Sequence, residues 1–90
     1  MFKNLEELLK IIRNRKITPD SGSYTNKLLN DKNLSVSKVK EEISELFEAV
    51  EKDTNKIHET ADVLYHLLVY LEANNVKIED VMLELKKRQK

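Results

Sequence analysis

The chain has 90 residues, 40% apolar and 36% charged, with sixteen bases balancing sixteen acids. That balance argues against generic nucleic-acid binding, and the lack of cysteine excludes a disulfide framework, a thiolate zinc site and a thiol nucleophile. No apolar run approaches the roughly 20 residues that span a bilayer, so no membrane partner is expected, and one domain over residues 1–90, near the lower limit of what a single core stabilises, is the expected organisation.

Asn4 and Glu7 have the spacing of a capping box and open a first helix with the stripe Leu5, Leu8, Leu9 and Ile12. The N-terminus, MFKNLEELLK, lacks the basic-then-apolar layout of a signal peptide. A cytoplasmic location is expected, in keeping with the absence of cysteine. The only glycine and the only proline fall together in residues 17–23, where Pro19, Asp20 and Gly22 predict a loop. Ser23 suits the N-cap of a short second helix carrying Tyr24, Leu28 and Leu29. Residues 30–33, NDKN, predict a break, and Ser35 or Ser37 opens a third helix with the stripe Val39, Ile43, Leu46, Phe47 and Val50. Residues 52–55, KDTN, predict a tight turn. A fourth helix then runs to about Asn74, where Asn74 and Asn75 suit a left-handed C-cap. A fifth carries Ile78, Val81, Met82 and Leu85, with Lys77 where a better N-cap would stand. Strand alternation is absent, so the expected fold is all-α, a helical bundle of four to five helices per chain.

Residues 61–71, ADVLYHLLVYL, are apolar on every side of a helix, which predicts burial. Yet Asp62 and His66 lie inside the stretch and Glu59 one turn before it. Residues three apart share a helix face, so Glu42 pairs with Glu45 and Glu59 with Asp62. A short turn makes the third and fourth helices antiparallel neighbours. Folding about residues 52–54 sets Glu45 opposite residues 59–63 and Glu42 opposite residues 62–66. Helices pack about 8–10 Å apart, so four carboxylates converge on one volume. They repel one another unless protons or a cation intervene. A hard cation is the natural partner, Mg²⁺ first and Mn²⁺ next. Zinc is poorly served, because only His58 and His66 offer nitrogen, and the Glu-x-x-His of a di-iron bundle is missing. The plainer readings are a solvated glutamate face, a core histidine at His66 bonded to Asp62 or Tyr24, and core tyrosines at Tyr65 and Tyr70. Residues 41–62 hold eight acids against Lys52 and Lys56, whereas residues 1–40 hold nine bases against four acids. That asymmetry suits a polyanion held through metal ions.

EEISE at 41–45 followed by ETAD at 59–62 resembles the EExxE…ExxD pattern of the all-α nucleotide pyrophosphohydrolases, the MazG-type superfamily. SYTNKLL at 23–29, KVKEEISELFEA at 38–49, ETADVLYHLLVYL at 59–71 and the ending VMLELKKR look like the phosphoribosyl-ATP pyrophosphohydrolase family of histidine biosynthesis. This resemblance spans Leu5 to Arg88. It implies Mg²⁺-assisted hydrolysis of the α–β phosphoanhydride of phosphoribosyl-ATP, giving phosphoribosyl-AMP and pyrophosphate. It also implies a homodimer whose helices pool one bundle, with the metal on Glu42, Glu45, Glu59 and Asp62 and with Glu41 orienting water. On that reading Glu41 or Glu45 takes the proton of the attacking water, and Lys27 and Lys38 bind phosphate ahead of Arg13, Arg15 and Arg88. Ser23, Tyr24 and Thr25 present the second helix to the substrate, and His66 borders it. Lys40, before the paired glutamates, and Asn33, before the third helix, stand where relatives often carry glycine; neither is a ligand in this scheme. Two other readings are a pyrophosphohydrolase of the same superfamily acting on ordinary nucleoside triphosphates, and a non-catalytic helical dimerisation module.

Overall fold

Helical periodicity becomes five helices in a computed structural model that describes residues 1–89: α1 Lys3–Ile17, α2 Tyr24–Asn30, α3 Lys32–Lys52, α4 Lys56–Ala73 and α5 Ile78–Arg88. No strand occurs among the described residues, as expected of an all-α chain. Two helix starts differ from expectation. Asn4 lies inside α1 rather than capping it; the helix begins after Phe2, whose carbonyl accepts from the Glu6 amide at 3.2 Å, and no side-chain cap forms. The break between α2 and α3 is the single residue Asp31, in extended conformation, instead of four residues. Its Oδ1 accepts from the Leu34 amide at 3.0 Å, so α3 starts at Lys32 and neither Ser35 nor Ser37 acts as its cap. One carboxylate that satisfies the orphan amides of a helix start makes a longer linker unnecessary.

The loop after α1 is held by Asn26, a buried side chain. Its Oδ1 accepts from the Asp20 amide and its Nδ2 donates to the Arg15 carbonyl, both at 2.8 Å. Asp20 Oδ1 accepts from the Gly22 amide at 3.0 Å, closing the turn before Ser23, which caps α2 as expected by accepting from the Asn26 amide. At the other end, Asp53 and Asn55 adopt left-handed conformations with φ of 55° and 44°. Asp and Asn tolerate that region better than most residues. They reverse the chain within residues 53–55, so α3 and α4 form an antiparallel hairpin.

α4 packs against α1, α2 and α3, and the core sits on it: Ile12, Leu28, Leu68 and Val69, flanked by Leu5, Leu8, Leu29, Leu34, Tyr65 and Ile78. Each fully buried aliphatic side chain contributes about 1.5–3 kcal/mol. On α3, Val39 and Ala49 are buried, but Phe47 and Val50, expected in the core, are 65% and 57% exposed. Ile57, Leu64 and Leu67 of α4 are exposed as well. A single chain therefore covers only part of the all-round apolar helix.

Candidate functional site

The hairpin turn sets α3 and α4 in register, and the register sets the acids together. Glu42, Glu45 and Glu59 each bring a carboxylate oxygen within 4.8 Å of the others. His58, Glu59 and Asp62 form a second such group, with His58 Nε2 3.3 Å from Asp62 Oδ2. Glu59 belongs to both, so the four carboxylates expected to converge form one continuous cluster. Glu42 is buried beneath it, and one oxygen each of Glu42 and Glu59 is buried without a hydrogen-bond partner. Burial pushes the Glu42 carboxyl above the usual range, and the adjoining Glu45 and Asp62 add to the rise. Glu59 is likewise raised, by desolvation first and by Glu45 next. No lysine or arginine of the described residues forms an ion pair with any of these four groups. Unpaired buried carboxylate oxygens facing one another, with no thiolate present, fit a hard, oxygen-seeking divalent cation.

Glu41 does not join the cluster. Half exposed on the neighbouring face of α3, it accepts a hydrogen bond from Lys38 at 3.1 Å. His66 is buried one turn beyond Asp62. Its Nδ1 lies 2.8 Å from the Asp62 carbonyl oxygen, which only accepts, so Nδ1 carries the hydrogen. In the neutral ring Nε2 then accepts from the Tyr24 hydroxyl at 3.1 Å. That hydroxyl holds its proton firmly, because burial raises its pKa despite the opposing effect of Lys38. The plainer reading of His66, a satisfied histidine bonded to Tyr24 and Asp62, thus describes its contacts. Thr25 Oγ1 lies 2.5 Å from the Tyr65 hydroxyl, a second tie between α2 and α4 beside the first. Ser23 caps α2, and Lys27 stays exposed along the shallow depression formed with Ser21, Gly22, Ser23, Tyr24 and Asn30.

Arg13 and Arg88 pair elsewhere, and the buried Arg15 Nε has no hydrogen-bond partner among the described residues. Arg13 is bidentate to Glu79 at 2.7 and 2.8 Å and meets buried Glu72 at 3.3 Å, while Lys16 donates to the Glu72 carbonyl at 2.9 Å. Arg88 lies 3.8 Å from Glu84 on its own helix. Asn26 and Glu72 are polar residues of the core that sequence reasoning passed over. Their partners lie 11 and 59 residues away, at Arg15 and Arg13, beyond the reach of helical spacing. The His58–Asp62 pair was visible in principle as an i, i+4 spacing.

An all-α chain with an acid pair on each arm of one hairpin fits the all-α nucleotide pyrophosphohydrolases of the MazG type, a class of hydrolases. Comparison with known proteins narrows the class. The family described as phosphoribosyl-ATP pyrophosphohydrolase matches residues 5–89, and the chain belongs to it. It is similar to the phosphoribosyl-ATP pyrophosphatase of Clostridium acetobutylicum, 47% identical over 98% of this chain and 84% of that protein. The phosphoribosyl-ATP pyrophosphatase of Lactiplantibacillus plantarum is 42% identical over 98% of this chain and 86% of its own length. The histidine biosynthesis bifunctional protein HisIE of Pyrococcus furiosus is 46% identical over 96% of this chain, which spans only 41% of that longer protein.

Proposed function

We propose that this chain hydrolyses the α–β phosphoanhydride of phosphoribosyl-ATP, releasing pyrophosphate and leaving phosphoribosyl-AMP, as a step of histidine biosynthesis. The convergence of Glu42, Glu45 and Glu59, with Asp62 attached through Glu59, carries the reading. Similarity to the stand-alone pyrophosphatases over more than four-fifths of their length supports the choice of substrate. The whole chain, residues 1–90, acts as one domain. A substrate built from ATP carries charges that keep it inside cells, so the site of action is the cytoplasm.

Glu42, Glu45, Glu59 and Asp62 would hold Mg²⁺, with Mn²⁺ as the substitute. When bound there, such an ion would supply charge neutralisation for the polyphosphate and a more acidic water. The residues then divide the remaining work. Glu42, buried with one free oxygen, fixes the floor of the cluster, and Glu59 joins the two acid pairs. Glu45 is exposed and within 4.8 Å of both neighbours, which suits it to take a proton from the attacking water. Glu41, outside the cluster, is tied to Lys38 on the adjoining face and would act on that water only from a distance. Lys38 and Lys27 meet the phosphates and Ser23, Tyr24, Thr25 and His66 border the substrate. The exposed Phe47, Val50, Ile57, Leu64 and Leu67 support a homodimer, since a second copy would cover them.

Incubation with phosphoribosyl-ATP and Mg²⁺ should release pyrophosphate, and dATP or dCTP under the same conditions should release far less. Release from the deoxynucleotides with phosphoribosyl-ATP left intact would move the activity to the nucleoside triphosphate branch of the superfamily. No release from either substrate, with no effect of Mg²⁺ on the melting temperature, would leave only a helical dimerisation module.

A further inference from the structure

Tyr24 stands apart from the other aromatic residues around α4. Its hydroxyl is pinned to buried His66, its ring lies near-parallel to Tyr65 at 6.4 Å and 22°, and it meets the His66 ring edge-on at 5.8 Å and 75°. Tyr65 and His66 meet edge-on at 5.0 Å. The three rings form one rigid block, yet Tyr24 remains 44% exposed. The ring is thus both anchored and accessible. The block also has an address. His66 is one helical turn, about 5.4 Å of rise, from Asp62 of the acid cluster. Lys38, which stands beside Glu41, is close enough to Tyr24 for each to alter the other's titration.

We propose that the exposed ring of Tyr24 is the platform on which the purine of the substrate stacks while its phosphates lie on the acid cluster. The inference rests on the function proposed above. In phosphoribosyl-ATP the base is joined through one ribose to the phosphate that is attacked, so a base platform belongs close to the cluster. Tyr24 is tied to the cluster through His66, one turn from Asp62. Stacking needs a ring that does not rotate on binding, and the His66 bond and the Tyr65 neighbour supply that order beforehand. Tyr65, anchored in the same way through Thr25, is the poorer platform because it is less exposed than Tyr24. Tyr24 is then a specificity residue that binds the base; it does not touch the reacting atoms.

The test compares Tyr24→Leu, Tyr24→Phe and Tyr24→Trp in the full chain with Mg²⁺, and adds inhibition by AMP and by inorganic pyrophosphate. Loss of a base–aromatic stack is worth roughly tenfold or more in binding. Tyr24→Leu should raise KM for phosphoribosyl-ATP by about that factor, with kcat down less than about threefold. Inhibition by AMP should weaken in parallel, and inhibition by pyrophosphate should hold. Tyr24→Phe and Tyr24→Trp keep a ring but lose the His66 bond, and should raise KM much less than Tyr24→Leu does. A KM unchanged in Tyr24→Leu, equal weakening of AMP and pyrophosphate, or the same defect in Tyr24→Phe would each overturn the platform. Should Tyr24→Leu fail to fold, the phenylalanine and tryptophan variants still decide, because a KM raised tenfold in both would assign the effect to the hydroxyl. Absence of turnover in the wild-type protein would overturn the enzyme reading itself, and with it the platform.

Discussion

Glu42 and Glu72 are both buried carboxylates on long helices, and the chain treats them in opposite ways. Glu72 sits among cations: Arg13 reaches it from α1, Lys16 adds a second contact, and Arg13 goes on to grip Glu79 at the start of α5. Glu42 sits among carboxylates, with Glu45 and Glu59 within 4.8 Å and an oxygen that bonds to nothing. The carboxylates of the two regions differ as well. Glu79 is held well below the usual range, at about 2, by its hydrogen bonds to Arg13, whereas burial and like charge lift Glu42. One region is electrostatically complete and binds helices together. The other is incomplete, which is the ground for placing the proposed ion there.

The largest effect that can break this contrast is Asp62→Asn. Even groups that only support metal ligands are worth about 10–100-fold in activity, so loss of a ligand should lower pyrophosphate release by about a hundredfold or more. The wild-type protein should melt roughly ten degrees higher in Mg²⁺ at about a hundred times its Kd, a gain of about 2.7 kcal/mol. The variant should lose most of that gain while folding at least as well without metal. Calorimetry with and without Mg²⁺, beside a pyrophosphate assay, reads both; an unaltered Mg²⁺ gain in the variant would mean the cluster is not the metal site.

Arg13→Ala should do the reverse. It strips Glu72 of its main partner and leaves a buried charge, at a cost of about 2–3 kcal/mol, or a fall of roughly ten degrees in melting temperature. Turnover per folded molecule should stay within about twofold, because Arg13 touches nothing in the acid cluster. A large loss of kcat in a folded Arg13→Ala protein would show that the two regions are coupled.

Acidity separates them further in metal-free protein. Glu79 has a lowered pKa, so its contribution is present above about pH 4.5 and fades as the pH falls toward about 2. Glu42 and Glu59 have raised values, so the folded state holds protons more tightly there than the unfolded chain does. Their effect favours folding in acid and is lost as pH rises through their folded values. Melting temperatures measured between pH 3 and pH 7 should therefore fall less steeply toward acid in Glu79→Gln. The Glu59→Gln variant should lose part of the decline seen toward neutral pH. Identical profiles for both variants would refute the assignment. Smallest of all is Lys52→Ala, which removes an exposed pair with Glu48 and should change stability by no more than about 0.5 kcal/mol in a denaturant titration.

The contrast also marks how far sequence alone could reach. Helical spacing and a three-residue reversal suffice to place Glu42, Glu45, Glu59 and Asp62 on facing arms, because each step in that inference is local. Asp31 shows the limit of local reading: NDKN looks like a break of four residues, but one capping carboxylate needs only one. Asn4 and Glu7 show the converse, a capping spacing that the folded chain does not use. Arg13 carries no local sign of its partners, since Glu72 and Glu79 lie 59 and 66 residues away and only packing of α1 on α4 and α5 unites them. Phe47 and Val50 follow the apolar stripe of α3 faithfully and still face outward, because periodicity reports which face is apolar without saying what covers it.

The hairpin turn at Asp53–Asn55 has one more implication. All four carboxylates come from a single uninterrupted stretch, residues 42–62, bent once at its middle. The acid cluster is thus local in sequence, with every one of its carboxylates on one short segment. Fusing other domains before α1 or after α5 leaves that segment untouched, whereas inserting a single residue into the bend would rotate one pair of acids away from the other, and the core face of α4 with it.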